Sequence, residues 1–277
     1  MQKINPRTKT LLYIVYALVV IITIIPILWV VLASFKQPAE IFAYPPRFIP
    51  KHFTLENYHY VLTFTKVPKW LFNSIVVALA STIVALVLAT TGAYGFSRFN
   101  FKGKAVLLLA ILGTQMIPGV TNIIPLYLIM SKVHLTDTIL ALVLVYSAMR
   151  VPFSIWVMKG FFDTVPTSLD ESARIDGCSW FQAFIRVVAP ITAPGLVATV
   201  IFNAISAWNE FIIALVLTSS DKSQPLSVGL FAFQTQYGSD WQYIAASAVI
   251  GAVPVLIVFL ALQQYFVAGL ARGAVKG

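Results

Sequence analysis

Leu11–Ala33 reads LLYIVYALVVIITIIPILWVVLA, 23 residues without a charge. A helix rises about 1.5 Å per residue and a bilayer's hydrocarbon core is about 30 Å thick, so roughly 20 such residues cross it. The stretch is too long for the apolar core of a cleaved signal peptide, and it lacks a small-residue cleavage site before Lys36. It reads as a transmembrane helix. Five further stretches meet the same test: Trp70–Ser97, Lys104–Met130, Thr138–Met158, Val187–Thr218 and Tyr243–Leu270. Pro118 and Pro125 in the third and Pro194 in the fifth remove backbone donors. They predict kinks whose freed carbonyls face other helices or water. The expected fold class is an all-α membrane protein with six transmembrane helices.

Composition agrees with that reading. Of the 277 residues 59% are hydrophobic and only 10% are charged, and the mean hydropathy is +0.86. Soluble domains are roughly 45–50% apolar and about 25% charged, so an ordinary soluble enzyme and a disordered or fibrous chain are both excluded. The net charge of +9 divides by topology. With the N-terminus in the cytosol, Lys3, Arg7, Lys9, Arg98, Lys102, Lys104, Lys159, Arg174, Arg186, Arg272 and Lys276 lie inside. Lys36, Arg47, Lys51, Lys66, Lys69, Lys132 and Lys222 lie outside, five of them in the long first loop, where charge directs insertion least. Both termini are therefore expected in the cytosol, and no nucleic-acid partner is needed to explain the basic excess. The single cysteine, Cys178, excludes an intrachain disulfide framework and a multi-cysteine metal site.

Small residues recur at helical spacing in the second span (Ala78, Ala85, Ala89, Ala93) and the sixth (Ala245, Ala248, Gly251, Ala252). Such rows let helix backbones approach closely in lipid. The organisation expected is a first span with its external loop over 1–68, a five-helix core over 69–270 with a loop at 159–186, and a tail over 271–277.

That loop carries the most definite local signals. Ser168 and Glu171 have the spacing of a capping box, and Asp170 and Glu171 suit a helix start. Gly177 suits the left-handed residue that ends a helix. Ser179 and Gln182 form a second box, opening a helix that runs into Pro190. The prediction is a short helix, a glycine turn and another helix at the membrane surface.

Glu171-Ser172-Ala173, Gly177 and Ala189-Pro190 resemble the EAA motif of permease subunits in binding-protein-dependent ABC importers. The string Pro166–Gly195, above all Ala173-Arg174-Ile175-Asp176-Gly177, is similar to the carbohydrate branch of the maltose-permease type. The likeness extends to Asn73-Ser74, Ile124-Pro125-Leu126-Tyr127, Pro152-Phe153 before Gly160-Phe161-Phe162, Trp208-Asn209-Glu210-Phe211 and Gly273–Gly277. Ser172 replaces the motif's second alanine and Ala189 a common leucine, both small changes on a helix. The resemblance implies a type I importer permease whose helix within the 165–190 loop docks on a cytosolic ATPase dimer. Leu169, Asp170, Glu171, Ala173, Ile175, Asp176 and Gly177 would be the coupling residues. It further implies a homologous second permease, an extracytoplasmic sugar-binding protein, a carbohydrate substrate, and residence in a bacterial or archaeal cytoplasmic membrane among its lipids.

Chemistry is sparse elsewhere. No G-x-x-x-x-G-K-[ST] phosphate loop occurs, and Gly103-Lys104 is followed by Ala105. His52, His59 and His134 are scattered, so no metal cluster or nucleophile–base pair is expected, and the chain is not an enzyme. ATP and Mg would be bound by the partner ATPase. Arg150 and Glu210 fall inside spans, where charges usually face a cavity or a partner, and at similar depth they could pair. With Asn203, Ser206, Trp208 and Asn209 they either line a substrate pathway or hold helices and cap a break. Gln234, Thr235, Gln236, Tyr237 and Gly238 lie in a polar loop that in the family reaches the docked binding protein. The competing class, a stand-alone secondary transporter or channel, predicts more mid-membrane charges and repeated spans.

Overall fold

The computed structural model describes residues 6–235 and 238–274. In chain order the helices are α1 (Pro6–Ala33), α2 (Pro38–Ile41), α3 (Glu56–Phe64), α4 (Val67–Arg98), α5 (Lys104–Gly113), α6 (Ile123–Lys132) and α7 (Ile139–Asp163). There follow α8 (Thr167–Ile175), α9 (Trp180–Ala183), α10 (Ala189–Ile191), α11 (Ala193–Trp208), α12 (Ile212–Leu217) and α13 (Leu226–Gly229). A two-stranded hairpin, β1 (Gln234–Thr235) against β2 (Gly238–Ser239), precedes α14 (Trp241–Ala274). Four described helices are long and apolar enough to cross a membrane, or six if each of two bent pairs counts as one span.

The chain divides into two compact units, residues 1–68 with 230–253, and 69–229 with 254–277. In the first, the most apolar window of α1 is 0% buried within this chain. The chain leaving α1 is tied down by polar groups. Asn57 donates to the carbonyls of Ser34 and Lys36 at 2.9 and 2.8 Å, and Lys36 Nζ donates to the Arg47 carbonyl at 2.6 Å. These contacts satisfy carbonyls of the turn that follows the helix and of the first loop.

The second unit is a bundle around α4 and α7. At one end Val77, Ala78, Leu142, Val145, Ala207, Ala214 and Leu217 form an apolar cluster. At the other end Ala89, Ala93, Tyr94, Ile155, Met158, Phe162 and Val188 form a second. The alanine row of α4 faces inward, with Ala85, Ala89 and Ala93 at 0% exposure, so it packs within this chain. Between the clusters lies a polar layer of Ser81, Thr82, Ser147, Arg150, Ser154 and Asn203, all buried.

The third span breaks where proline predicts it. Segments Lys104–Met116 and Gly119–Lys132 meet at 93°. Ile117 takes an extended ψ of 120°, as a residue before proline must when its helical region is sterically closed. Pro125 makes no second kink, because it sits in the first turn of α6, where its missing donor costs nothing. Gln115 Nε2 donates to the Met149 carbonyl of α7 at 3.2 Å and anchors the bend.

The fifth span departs from expectation. Instead of one kinked helix over 187–218 there are three pieces. Trp180–Ile191 and Ala193–Trp208 meet at 82°, and α12 follows a second break at 209–211. Pro194 stands in the first turn of α11 and starts a helix there rather than bending one. Thr192 satisfies the loosened turn by donating Oγ1 to the Val188 carbonyl at 2.9 Å. Just before it, Phe184–Val188 is π-helical, a local widening of the kind that recurs at functional sites.

Candidate functional site

The segment from Asp163 to Gly195 builds a compact surface feature. α8 begins after Pro166, two residues earlier than the Ser168 box requires. Ser168 is therefore already helical, its carbonyl accepts the Ser172 hydroxyl at 2.8 Å, and no side chain caps this helix start. The expected Ser168–Glu171 box is not formed. The helix ends at Gly177, whose φ of +87° lies in the left-handed region, and Cys178 N donates to the Ala173 carbonyl at 2.9 Å. Arg174 closes over the turn, donating to the Cys178 carbonyl at 3.0 Å with its guanidinium 5.2 Å from the Trp180 ring. The Ser179–Gln182 box is present in both directions, at 2.8 and 3.2 Å.

The seven residues expected to couple to a partner divide between two faces of α8. Leu169 is 39% exposed and Ile175 86%, and Glu171 and Asp176 are also exposed. Ala173 and Asp170 are buried against their own chain. Asp170 Oδ2 lies 2.8 Å from Arg98 Nε, and Oδ1 accepts the Tyr94 hydroxyl at 2.6 Å. Arg98 also donates to the Val165 carbonyl at 3.0 Å. Sequence reasoning missed Arg98 and Tyr94, whose one available signal is a lone arginine and a tyrosine one turn apart at the end of a span. Below α8, Phe184 of the π-helical turn packs on Tyr94 and Phe162 at 4.9 and 5.9 Å. Gly195 admits the Phe161 ring so closely that no Cβ fits there.

The polar layer sorts the proposed pathway residues. Asn203 is fully buried and exchanges hydrogen bonds with Ser154 at 3.1 and 3.2 Å. Arg150 donates to the Tyr146 carbonyl at 3.1 Å, while its Nε, the Tyr146 hydroxyl and Thr82 Oγ1 are buried without hydrogen-bond partners. Arg150 and Glu210 do not form an ion pair; those among the described residues are Arg98–Asp170 and Lys159–Asp163. Glu210 Oε1 instead accepts from Ile213 N at 3.0 Å and caps α12 across the break, while its carbonyl accepts the Ser227 hydroxyl at 3.0 Å. Asn209 is exposed and Ser206 half-buried. Trp208 lines a wholly apolar cavity of about 330 Å³ with Ile75, Ala78, Ile205 and Pro254. No three metal-ligating side chains gather among the described residues.

At the opposite end of α7 the structure builds a second polar knot, also missed from sequence. Asp137 (φ +59°) accepts from Ser219 N, Ser220 N and Oγ, and Ser223 Oγ at 2.5–3.0 Å. Burial alone would raise its pKa, but these donors outweigh it and hold the carboxyl well below the usual carboxylate range. From the other side Asn73 donates to the carbonyls of Asp221, Lys222 and Gln224, and Ser74 Oγ accepts from Leu226 N at 2.8 Å. The loop leading towards the hairpin is thereby fixed at its base. Gln234 is exposed and pairs with Ser239, Thr235 pairs with Gly238, and Gln236 and Tyr237 lie outside the described residues.

Residues 81–272 match the family described as binding-protein-dependent transport system inner membrane component. The chain belongs to this family. Among its relatives, the diacetylchitobiose uptake system permease protein DasC of Streptomyces coelicolor is 35% identical over 92% of each chain. The trehalose/maltose transport system permease protein MalG of Thermococcus litoralis is 33% identical over 97% of each. In fold, the permease superposes with a TM-score of 0.82 on a chain of a bacterial ABC transporter that imports the acidic polysaccharide alginate. That match covers 96% of this chain and 100% of the other at 24% identity.

Proposed function

We propose that this permease forms half of the pathway of an ATP-driven carbohydrate importer and engages a cytosolic ATPase through α8. The observation that carries the docking reading is the outer face of α8. A helix held by a closed turn at Gly177 presents Glu171 and Ile175, four residues apart, on one outward face, while Leu169 lies at the edge of the buried face beside Ala173. An isoleucine 86% exposed at the end of a well-fixed helix fits a groove on a partner, in the helix-in-groove manner. Carbohydrate as the substrate class is supported by the sugars named for the relatives.

The reading carries its partners with it: an ATPase dimer that binds ATP and Mg, a homologous second permease, and an extracytoplasmic sugar-binding protein facing the polar loop at 234–238. It sets the 159–186 loop and both termini on the cytosolic side of a bacterial or archaeal inner membrane, consistent with the distribution of lysine and arginine. The five-helix core over 69–270 would carry the pathway, and 1–68 would supply the first span and external loop. Polar groups at the break near Glu210 and in the buried layer at Arg150 are where a solute's hydroxyls would find partners.

The test uses the assembled complex. Glu171→Lys and Gly177→Leu are expected to uncouple transport: uptake of labelled maltose and trehalose falls by tenfold or more, with weakened ATPase copurification. Normal uptake and normal ATPase association in both variants would end the docking reading.

A further inference from the structure

Asp170 stands beside Glu171 in the sequence but faces the other way. Its side chain is 2% exposed, and it meets an arginine 3% exposed at 2.8 Å and a tyrosine hydroxyl at 2.6 Å. Tyr94 and Asp170 are 76 residues apart in sequence, so these contacts join two separate elements, α8 and the end of α4. The same guanidinium grips the Val165 carbonyl, the last turn of chain before α8. The other acids of the segment, Asp163, Glu171 and Asp176, stay at the surface, where an acid costs little. Burying a carboxylate and a guanidinium is expensive, and the pair is retained as a close ion contact, with the Tyr94 hydroxyl donating to the other carboxylate oxygen. The hydrogen bonds flanking the pair, from Tyr94 to Asp170 and from Arg98 to the Val165 carbonyl, are directional. The π-helical turn instead meets Tyr94 of α4 and Phe162 of α7 through the apolar ring of Phe184.

We propose that Asp170 is a positioning residue that, through Arg98 and Tyr94, fixes α8 to the end of α4, so that the two move as one body when the partner ATPase closes. Relative motion is then taken up at the π-helical turn of 184–188 and the 82° bend at Thr192. The inference rests on α8 being the docking helix, and it adds which span receives the motion.

Spin labels at Ser172 on α8 and Thr91 on α4, in a Cys178→Ser background and in the full complex, read the clamp. Distances are recorded without nucleotide and after trapping with ATP, Mg and vanadate. In the parent the distance should stay constant to within about 2 Å, the upper end of typical interface helix shifts. Asp170→Asn should broaden the distribution or shift it by more than that in both states, with ATPase copurification retained. A parent distance that changes on trapping, or an Asp170→Asn distribution identical to the parent's, overturns the proposal. If Asp170→Asn fails to accumulate, Tyr94→Phe carries the test: it keeps the ion pair, removes one hydrogen bond and should broaden the distribution, and an unchanged one overturns the clamp. Absence of ATPase from the parent preparation would sink the docking reading, while the nucleotide-free comparison would still decide the clamp.

Discussion

Two aspartates, Asp137 half-buried and Asp170 buried, sit beyond the two ends of α7, a 25-residue helix about 38 Å long. Asp137 is satisfied by neutral donors from one short stretch, Ser219 to Ser223. Asp170 is satisfied by a cation and a phenol from a different span. The first arrangement freezes a loop in place, because all its donors lie within five residues of one another. The second joins two long elements and leaves the segment between them to find its own path. A carboxylate ringed by hydroxyls and amides makes a local staple, whereas one paired with a distant guanidinium makes a joint.

That contrast can be broken most sharply at Arg98. Arg98→Ala leaves Asp170 buried without its counter-charge and should cost about 3–5 kcal/mol, read as a lowered unfolding temperature of the purified complex. Asp137→Asn should cost less, about 1–3 kcal/mol, since one acceptor oxygen remains for donors that otherwise lose a partner. Its penalty depends on pH with a defined sign. The folded carboxyl is held below its ordinary pKa of about 3.9, so its contribution is fully present above that value. It is lost only as pH falls through the lower folded value. Unfolding measured from pH 7 downward should therefore show a constant gap between parent and Asp137→Asn, closing only in strong acid. Ser223→Ala removes a single donor from the staple and should cost about 1 kcal/mol. Smallest is Lys159→Ala. The Lys159–Asp163 pair, at 2.5 Å, is partly exposed and one helical turn long, worth about 0.3–0.5 kcal/mol. A cost above that of Ser223→Ala would show that charge alone, regardless of burial, sets the ranking.

The same two knots mark the boundary of what the sequence discloses. The four unbroken spans, the Gly177 turn and the Ser179–Gln182 box depend on residues within a few positions of one another, and the structure contains them. The orientation of Asp170 depends on Arg98, far away in the chain, and on α8 starting at Thr167 rather than after Ser168. Nothing local distinguishes Asp170 from Glu171, though one faces α4 and the other faces away from the bundle. Asp137 likewise acquires its partners only when the 219–223 loop folds back to it. Proline was informative but ambiguous: Pro118 marks a break, Pro125 sits harmlessly in a first turn, and Pro194 begins a helix. Which of these a proline does is set by where the preceding element ends. Among the pathway residues, sequence could place Arg150 and Glu210 at similar depth but not the Ile213 amide that claims Glu210.

The bend in the third span bears on assembly. Its halves, Lys104–Met116 and Gly119–Lys132, are each about 20 Å long, short of the roughly 30 Å of hydrocarbon. Their adjoining ends carry peptide groups that lipid cannot solvate. The anchor for that junction, the Met149 carbonyl that receives Gln115, belongs to a helix translated later. The anchored form of the bent third span therefore requires the fourth to stand beside it.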